Sequence, residues 1–231
     1  MNIIGLICAR GGSKGIKNKN LLKINNISLV ARSVIQAKKS SLINKVYISS
    51  DSIKIIREAK KYGALVPFIR PKKLSGDNVP EILVWRHFVN YLIKENIKVD
   101  YVVSIPTTAP LRLISDINQC IKKAIKNKCD VVLVSSKAKR NPYFNMVKYK
   151  KYNKISLVCE KNDNKFYRRQ DAPKCFDLTT VCYVFKPNYI LNSYDLFSGN
   201  TDMIVIPNSR ALDMDDLFDY KISKLLLNDK K

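Results

Sequence analysis

A loop near the start of the chain, at 10–19, combines glycines with positively charged residues. Glycine permits close backbone approach and positive φ, so successive N–H groups can point at one anion while the cations add full charges. Such a loop suits a triphosphate, and a flexible surface turn is the alternative. Neither common nucleotide-binding pattern is present, because G-x-G-x-x-G fails at Ser13 and G-x-x-x-x-G-K-[ST] has no match. The residues concerned are Arg10, Gly11, Gly12, Lys14, Gly15 and Lys19.

Two carboxylates about 200 residues later suit a divalent cation. Asp213 and Asp215 are two positions apart, so both side chains face one way in an extended stretch. Magnesium that also binds phosphate oxygens needs only one or two protein carboxylates. The sequence therefore predicts Mg²⁺ at Asp213 and Asp215. Asp216 fits the N-cap or first turn of the last helix, and the same capping role is the alternative for Asp215.

Apolar runs alternate with amphipathic helical periodicity along most of the chain. Strands that alternate with helices of this length predict right-handed crossovers and a mostly parallel sheet covered on both faces, a three-layer α/β/α sandwich. In such sheets ligands lie beyond the carboxyl ends of the strands, where the loop at 10–19 would fall. The predicted strands are 2–8, 45–50, 64–69, 101–105, 130–136, 179–185 and 202–207, and the predicted helices are 28–40, 52–63 (ended by Gly63), 81–96, 115–128 and 216–227.

The segment 137–177 breaks this pattern. It lacks helical periodicity, alternates aromatic and β-branched residues, and carries a basic cluster at 165–169. We interpret it as an inserted, projecting β-rich segment within a single domain that covers 1–231, a size that suits one domain.

Composition excludes several classes of protein. No stretch approaches the roughly 20 uninterrupted apolar residues of a membrane helix, which predicts a cytoplasmic protein without a membrane partner. The six cysteines form no C-x-x-C pair, which argues against structural zinc and disulfides. A histidine-dependent triad would have to use His87, the single histidine, which lies within a predicted helix.

The formal charge of +23 would attract polyanions. The lysines, however, are spread over almost every predicted helix and loop, and the aromatic residues form no RNA-binding platform. Nucleic-acid binding therefore remains only a remote alternative.

Seven segments in order resemble one family, the CMP-sugar synthetases for nonulosonic acids, that is, N-acylneuraminate cytidylyltransferases and their legionaminic and pseudaminic acid relatives. The resemblance covers nearly the whole chain. The segments are "ARGGSKGI" at 9–16 with Lys19 and Asn20, "YISSDS" at 47–52, "YGALVPFIRPKKLSGD" at 62–77, "PTTAPLR" at 106–112, "RNPYF" at 140–144, "RRQDAP" at 168–173 and "LDMDD" at 212–216.

The resemblance implies a Rossmann-like α/β domain whose projecting β-rich segment makes a homodimer. It implies a nucleotidyltransferase that, with Mg²⁺, converts CTP and a nine-carbon keto-acid sugar into CMP-sugar and pyrophosphate. By motif, the nucleotide would be held by Arg10, Gly12, Ser13, Lys14, Lys19, Asn20, Arg70 and Asp77, the metal by Asp213 and Asp215, and the sugar by Thr107, Thr108, Arg168, Arg169, Gln170, Thr179 and Thr180, the cluster at 168–170 facing either the sugar acid or the partner subunit's site.

In such a reaction the anomeric hydroxyl attacks the α-phosphorus and pyrophosphate leaves in line, so catalysis rests on positioning and charge neutralisation. Arg10, Lys19 and Asp215 are the expected catalytic residues. The base that deprotonates the hydroxyl is either Asp215 or a water molecule held by the metal.

Two segments depart from the N-acetylneuraminate type of this family. The piece at 106–112 lacks a preceding Gln, and "DLTTV" at 177–181 replaces an Arg-x-Asn-Gly-Ala run. A pocket lined by Thr and Val suits the methyl and acylamino groups of legionaminic acid better than hydroxyls. Legionaminic or a related acid is the favoured substrate, and the alternatives are N-acetylneuraminate, pseudaminic acid or a CMP-Kdo-like reaction.

Pro is common in relatives after the position of Ile16, where this chain has Lys17.

Overall fold

The computed structural model describes residues 1–13, 15–160, 166 and 168–228. Lys14, a predicted nucleotide-binding residue, and part of the basic cluster at 165–169 lie outside the described residues. No helix in the described part of the chain is long and apolar enough to cross a membrane.

The described part of the chain forms ten strands and six α-helices, and its main strands and helices follow the predicted alternation. Predicted and observed bounds of the main elements differ by a few residues at most, apart from the changes given below. In chain order the elements are β1 Ile3–Cys8, β2 Lys23–Ile24, β3 Ile27–Ser28, α1 Leu29–Lys39, β4 Lys45–Ser49, α2 Ile53–Lys61, α3 Glu81–Lys94, β5 Tyr101–Ser104, α4 Ile114–Lys126, β6 Val131–Lys137, β7 Val147–Tyr149, β8 Ile155–Leu157, β9 Phe176–Phe185, α5 Pro187–Asn192, β10 Thr201–Ile206 and α6 Leu217–Asn228.

The central sheet has six strands in the order β10-β6-β9-β5-β1-β4. β1 is parallel to β4 and β5, and β10 is parallel to β6, whereas β9 runs antiparallel to both of its neighbours, β5 and β6. The predicted mostly parallel α/β fold is confirmed. Because β9 is reversed, its first residues lie at the same sheet edge as the carboxyl ends of the other five strands.

Two layers of helices cover the sheet, as predicted. Alternate residues of β1 point to opposite faces: Ile3 and Ile7 pack in the cluster that contains α1, α2 and α4, and Ile4 and Leu6 pack in the cluster that contains α3 and α5. A third, small cluster joins Ile16, Ile24, Leu29 and Met214. This third cluster brings the first loop and the late acidic segment together.

Local signals explain several boundaries. The Ser28 hydroxyl accepts a hydrogen bond from the Ala31 N–H and caps α1. α2 ends before Gly63, whose φ of +90° is the left-handed stop that the sequence predicts. Asn25 and Asn26 both have positive φ and form the two-residue turn of the β2–β3 hairpin, which the sequence analysis missed.

The predicted strand at 64–69 is wrong. Only one bridge forms there, between Leu65 and Tyr47, and three of the six residues are exposed. Pro67 can donate no ladder hydrogen bond, which keeps a strand from continuing.

The segment 137–177 contains a separate two-stranded sheet, in which β7 and β8 pair antiparallel. β9 begins at Phe176, earlier than predicted, and its first three residues are exposed. Whether this segment is the dimerisation element stays a prediction.

A fully buried arginine joins three parts of the fold. The Arg112 guanidinium donates to the Ser33 hydroxyl and the Gln36 side-chain oxygen of α1, each at 2.9 Å, and to the backbone oxygens of Pro106 and Val181. Burial lowers the pKa of Arg112 to about 10, so the group stays charged at neutral pH.

We expect Arg112→Lys to lower the free energy of unfolding by at least ~3 kcal/mol, because one ammonium cannot replace the planar guanidinium and leaves buried acceptors unpaired. Urea denaturation of the variant measures this loss. Arg57→Lys, an exposed site on α2, is the matched control and should stay within about 0.5 kcal/mol of the parent chain. An unchanged midpoint for Arg112→Lys would contradict the structural role.

Candidate active site

A cavity of about 560 Å³ opens at the carboxyl edge of the sheet. Its walls come from the loops that follow β1 and β5, from the segment 70–79 between α2 and α3, from the first residues of α3, from Thr180 of β9 and from the segment just before α6. The predicted location of the site, beyond the strand ends, agrees with this geometry.

Hydrogen bonds from neighbouring loops hold the loop after β1. The Gly11 N–H donates to Asp51 Oδ1 at 2.8 Å, and the Asn20 amide donates to the Arg10 carbonyl at 2.8 Å. The Asn20 oxygen in turn accepts from the Thr107 hydroxyl. Arg10 Nη1 lies 2.5 Å from Asp77 Oδ1. The loop is therefore tied to β4 and β5 before any ligand binds.

The same loop touches the late acidic segment directly. A Cβ on Gly15 would overlap the backbone oxygen of Asp215, so only glycine fits there. Lys19 Nζ donates to the Met214 carbonyl at 2.8 Å and lies 3.1 Å from Asp215 Oδ1. The Met214 N–H donates to the Thr108 carbonyl at 2.8 Å. Lys19 and Asp215, 196 positions apart in the sequence, thus lie in one wall of the cavity.

Asp213 and Asp215 both face the cavity, while Met214 between them is buried. Asp213 Oδ1 is buried and has no hydrogen-bond donor among the described residues. Burial raises the pKa of Asp213 and the Asp215 charge adds to this rise, although Thr108, Thr180 and Lys19 act in the opposite direction. An unpartnered carboxylate oxygen beside a second carboxylate fits a divalent cation.

The described residues contain no cluster of three or more His, Cys, Asp or Glu side chains that could hold a metal ion by themselves. An ion held by this pair would complete its coordination with water and phosphate oxygens, as Mg²⁺ does.

Capping of α6 leaves the side chains of the acidic pair free of the helix end, although the Asp215 N–H donates to Asp219 Oδ2 at 2.9 Å. The Asp219 N–H donates to Asp216 Oδ1 at 2.9 Å, and the Asp216 N–H donates back to Asp219 Oδ2 at 3.1 Å. This reciprocal arrangement is a capping box, which confirms the capping role predicted for Asp216. The side chain of Asp215, 74% exposed, pairs with Lys19 instead.

A buried ion pair anchors the chain just before the acidic pair. Arg210 donates from Nε and Nη2 to both oxygens of Asp116, at 3.1 and 2.8 Å, and Asp116 is fully buried at the start of α4. Two parallel bonds fix position as well as charge. The path of the chain into Asp213 is therefore fixed from α4.

The sequence does not predict two residues that line the inner end of the cavity, Cys8 and Glu81, or the two residues behind them that hold Glu81, Trp85 and Ser104. The Trp85 indole and the Ser104 hydroxyl donate to Glu81 Oε1 at 3.2 and 3.3 Å. Part of Glu81 is exposed, but protein surrounds its carboxyl group, and this desolvation raises the pKa of Glu81. The only signal in the sequence is an acid that follows Pro80 at a helix start.

Most predicted site residues line this cavity. Thr108 and Thr180 meet there, with their hydroxyl oxygens 3.1 Å apart. The predicted residues that line it are Arg10, Ser13, Lys19, Asn20, Arg70, Asp77, Thr107, Thr108, Thr180, Asp213 and Asp215.

Five other predicted residues lie elsewhere. Gly12 is not a lining residue, and Thr179 is buried with its hydroxyl bound to the Val134 carbonyl at 3.1 Å. Arg169 and Gln170 line a second cavity, of about 820 Å³, and Arg168 pairs with Asp171 at 2.9 Å. Within this chain, the cluster at 168–170 does not line the first cavity.

A family model described as Cytidylyltransferase matches residues 4–193. The chain belongs to the cytidylyltransferase family. This assignment confirms the family and the type of enzyme inferred from the seven sequence motifs.

Two relatives from Campylobacter align with the cytidylyltransferase over nearly its full length. The Campylobacter jejuni protein named CMP-N,N'-diacetyllegionaminic acid synthase is 38% identical over 228 residues, which cover 98% of this chain and 95% of the relative. The Campylobacter jejuni pseudaminic acid cytidylyltransferase is 29% identical over 230 residues, or 98% of this chain and 96% of the relative. Both names belong to the group that the motifs resemble.

Solved structures agree in fold. CMP:2-keto-3-deoxy-manno-octonic acid synthetase complexed with CTP superposes with a TM-score of 0.74 over the whole of both chains at 12% identity. A 4-diphosphocytidyl-2C-methyl-D-erythritol synthase gives a TM-score of 0.70 at 11% identity, over 98% of this chain and 99% of its own. At such identities the likeness concerns the fold alone.

We expect Asp213→Asn to raise the free energy of unfolding at pH 7 by about 0.5–2 kcal/mol in metal-free buffer. The folded pKa of Asp213 is raised, so the stability it contributes is present below its unfolded pKa and is lost as pH rises through the folded pKa. Removing the charge should therefore stabilise the protein at neutral pH and not at pH 3.

Urea denaturation at both pH values measures the difference. Asp100→Asn, an exposed site at the opposite edge of the sheet, is the control. A loss of stability at pH 7 for Asp213→Asn alone would show that its charge is compensated in the folded protein.

Proposed function

We propose that this cytidylyltransferase activates a nonulosonic acid of the legionaminic type with CTP, giving the CMP-sugar and pyrophosphate in a Mg²⁺-dependent reaction. The observation that carries the proposal is the full-length similarity to the legionaminic acid synthase together with a cavity built from the anion-binding loop and an acidic pair. Sequence identity is lower to the pseudaminic acid enzyme, which makes that sugar the second candidate.

The loop after β1 supports the binding of a triphosphate. Its backbone is already fixed by Asp51 and Asn20, and Arg10 and Lys19 bring two cations to one side of the cavity. Groups fixed in advance lose little entropy when the phosphates bind, and they hold the α-phosphorus where a second substrate can reach it.

The acidic pair supports metal binding. Asp213 and Asp215 would hold Mg²⁺ through carboxylate oxygens, and Asp213 Oδ1 is the group that lacks a donor. When bound, the ion neutralises charge on the phosphates.

The Thr side of the cavity supports sugar binding next to the acidic pair. The hydroxyls of Thr108 and Thr180 lie beside Asp213. There the anomeric hydroxyl attacks the α-phosphorus, a new P–O bond forms, and the bond to the β-phosphate breaks. The hydroxyl proton passes to Asp215, the more exposed carboxylate of the pair, and then to water.

The β7–β8 hairpin supports a homodimer. Val147, Tyr149 and Ile155 lie on one face of the hairpin and are 60%, 79% and 66% exposed. A contiguous exposed apolar face of this kind is typical of an interface. The second cavity, with Arg169 and Gln170, adjoins the start of β9, where Phe176 is also exposed.

The cysteines support a cytoplasmic location. All six are within the described residues and are unpaired, as in a reducing compartment.

Purified enzyme should release pyrophosphate only when CTP and a nonulosonic acid are both present, and fastest with N,N'-diacetyllegionaminic acid. A coupled pyrophosphate assay over a panel that also contains pseudaminic acid, N-acetylneuraminate and Kdo measures kcat/KM for each sugar. A preference of tenfold or more for another sugar would overturn the legionaminic assignment.

Two controls test the metal in the same assay. Chelation with EDTA should abolish release and added Mg²⁺ should restore it, and Asp213→Asn should lower kcat at least about 100-fold. Asp100→Asn should retain full rate. Undiminished release in EDTA would contradict the metal role.

The enzyme should have about twice the 26.5 kDa mass of one chain in light scattering. Ile155→Lys places a charge in the exposed apolar face of the hairpin and should shift the protein to the monomer. Leu225→Lys, on the exposed face of α6, is the control and should stay dimeric. A parent chain that is monomeric at micromolar concentration would refute the dimer.

A further inference from the structure

A carboxylate is held in a fixed position at the inner end of the cavity. Glu81 is the first residue of α3, and its Oε1 accepts from Trp85 Nε1 and from the Ser104 hydroxyl. Trp85 Nε1 also donates to the Ser104 oxygen at 3.1 Å, which closes a triangle of contacts. Both donors act on Oε1. In the described part of the chain, Oε2 receives no N–H or O–H donor, and the positive end of the α3 dipole favours a charge there.

A guanidinium is fixed beside it. Arg70 is buried, donates from Nε to the Ser49 hydroxyl at 3.0 Å and from Nη2 to the Ser49 carbonyl, and its own N–H donates to the Ser50 carbonyl at 2.8 Å. The third nitrogen, Nη1, has no hydrogen-bond acceptor among the residues that the structure describes. Arg70 therefore offers one side of its fork to the cavity.

The wall around these two groups is small and apolar. Cys8 lines the cavity together with both groups, and its thiol is within hydrogen-bonding reach of the Glu81 side chain. Burial raises the pKa of this thiol to about 12, the Glu81 charge adds to the rise and the Arg70 charge opposes it. Leu74, Val79 and Val84 complete the lining. The inner end of the cavity thus presents one hydrogen-bond acceptor and one donor in apolar surroundings, which suits the edge of a flat heterocycle.

Other parts of the cavity do not suit a heterocycle equally well. Lys19 suits phosphates, and the acidic pair of Asp213 and Asp215 suits a metal. Thr108 and Thr180 offer hydroxyls for a polyhydroxylated ligand. The nucleobase is then left with the end that holds Arg70 and Glu81.

We propose, on the basis of the function proposed above, that Glu81 is a specificity-determining residue that selects cytosine over uracil together with Arg70. Cytosine carries an exocyclic N4 amino group, whose N–H donates to Glu81 Oε2, and ring acceptors at N3 and O2, which accept from Arg70 Nη1. Uracil places its O4 oxygen against the carboxylate and its N3–H against the guanidinium. Both contacts are then repulsive, and each polar group of the protein is left unpaired.

The test is nucleotide selectivity in the variant Glu81→Gln, which keeps the side-chain shape and an acceptor for Trp85 and Ser104. Its amide can turn an N–H toward O4 of uracil, so the ratio of kcat/KM for CTP to that for UTP should fall at least about tenfold, from about 100-fold or more in the parent. Glu95→Gln, an exposed site just past the other end of α3, is the matched control and should keep the parent ratio.

A binding measurement separates this inference from the proposed reaction. Trp85 is the single tryptophan and touches Glu81, so its fluorescence titrated with CTP and UTP in Mg²⁺, without sugar, reports both affinities directly. The parent should bind CTP more tightly and Glu81→Gln should lose most of that preference. If parent protein binds CTP selectively but turns over no nonulosonic acid, the proposed reaction fails and the inference stands.

An unchanged CTP-to-UTP ratio in Glu81→Gln, in turnover and in binding, would overturn the inference while leaving the reaction intact. Circular dichroism and the unliganded Trp85 emission show whether the variant is folded. If Glu81→Gln is misfolded, Ser104→Ala, which removes one of the two donors that orient Glu81, is measured in its place and should lower the same ratio; an unchanged ratio there would equally overturn the inference.

Discussion

Arg112 fixes the segment that joins the loop after β1 to the acidic pair. Its guanidinium donates a hydrogen bond to the Pro106 carbonyl. The next two residues, Thr107 and Thr108, each contact another segment of the site. The Thr107 hydroxyl bonds Asn20, which holds the loop after β1, and the Thr108 carbonyl accepts the Met214 N–H of the acidic segment. Movement of 106–108 would therefore displace the anion loop and the acidic pair together. A charge with five fixed donors is suited to this task, because it satisfies acceptors from a helix, a loop and a strand at once.

Charge balance gives the site a second constraint. The chain carries +23 overall, yet two of the three cations that line the cavity in the described part of the chain are paired with carboxylates: Arg10 with Asp77 and Lys19 with Asp215. A triphosphate would compete with both carboxylates for these cations. The exchange would release Asp215 from Lys19 and leave its carboxylate available to the divalent cation proposed above. Asp213, with its raised pKa, already carries the energetic penalty of an incompletely compensated charge.

The sequence predicts the repeating elements well, because periodicity records which face of each element is buried, and it predicts the anion loop and the acidic pair because their residue types are unusual. It cannot predict contacts that depend on topology. The reversal of β9 brings 179–180 to the edge of the cavity, and alternation along the strand turns Thr180 toward the cavity and Thr179 toward the core. Two adjacent threonines cannot be told apart in this way from the sequence. Glu81 escaped for the same reason, since an acid in the first turn of a helix is ordinary until β5 places Ser104 beside it.

The parts of the cavity proposed for the two substrates differ in how many of their side chains the core holds in place. In the part proposed for the nucleotide, Ser49 of β4 holds Arg70, and Ser104 of β5 holds Glu81 of α3. At the sugar end, the Thr108 and Thr180 hydroxyls form one wall only, while Arg169 and Gln170 lie in the second cavity beside exposed apolar residues. Relatives named for legionaminic and for pseudaminic acid both align over 98% of the chain. A sugar-binding region with few fixed contacts could accept a different sugar without any change in the sheet that holds the proposed nucleotide-binding residues.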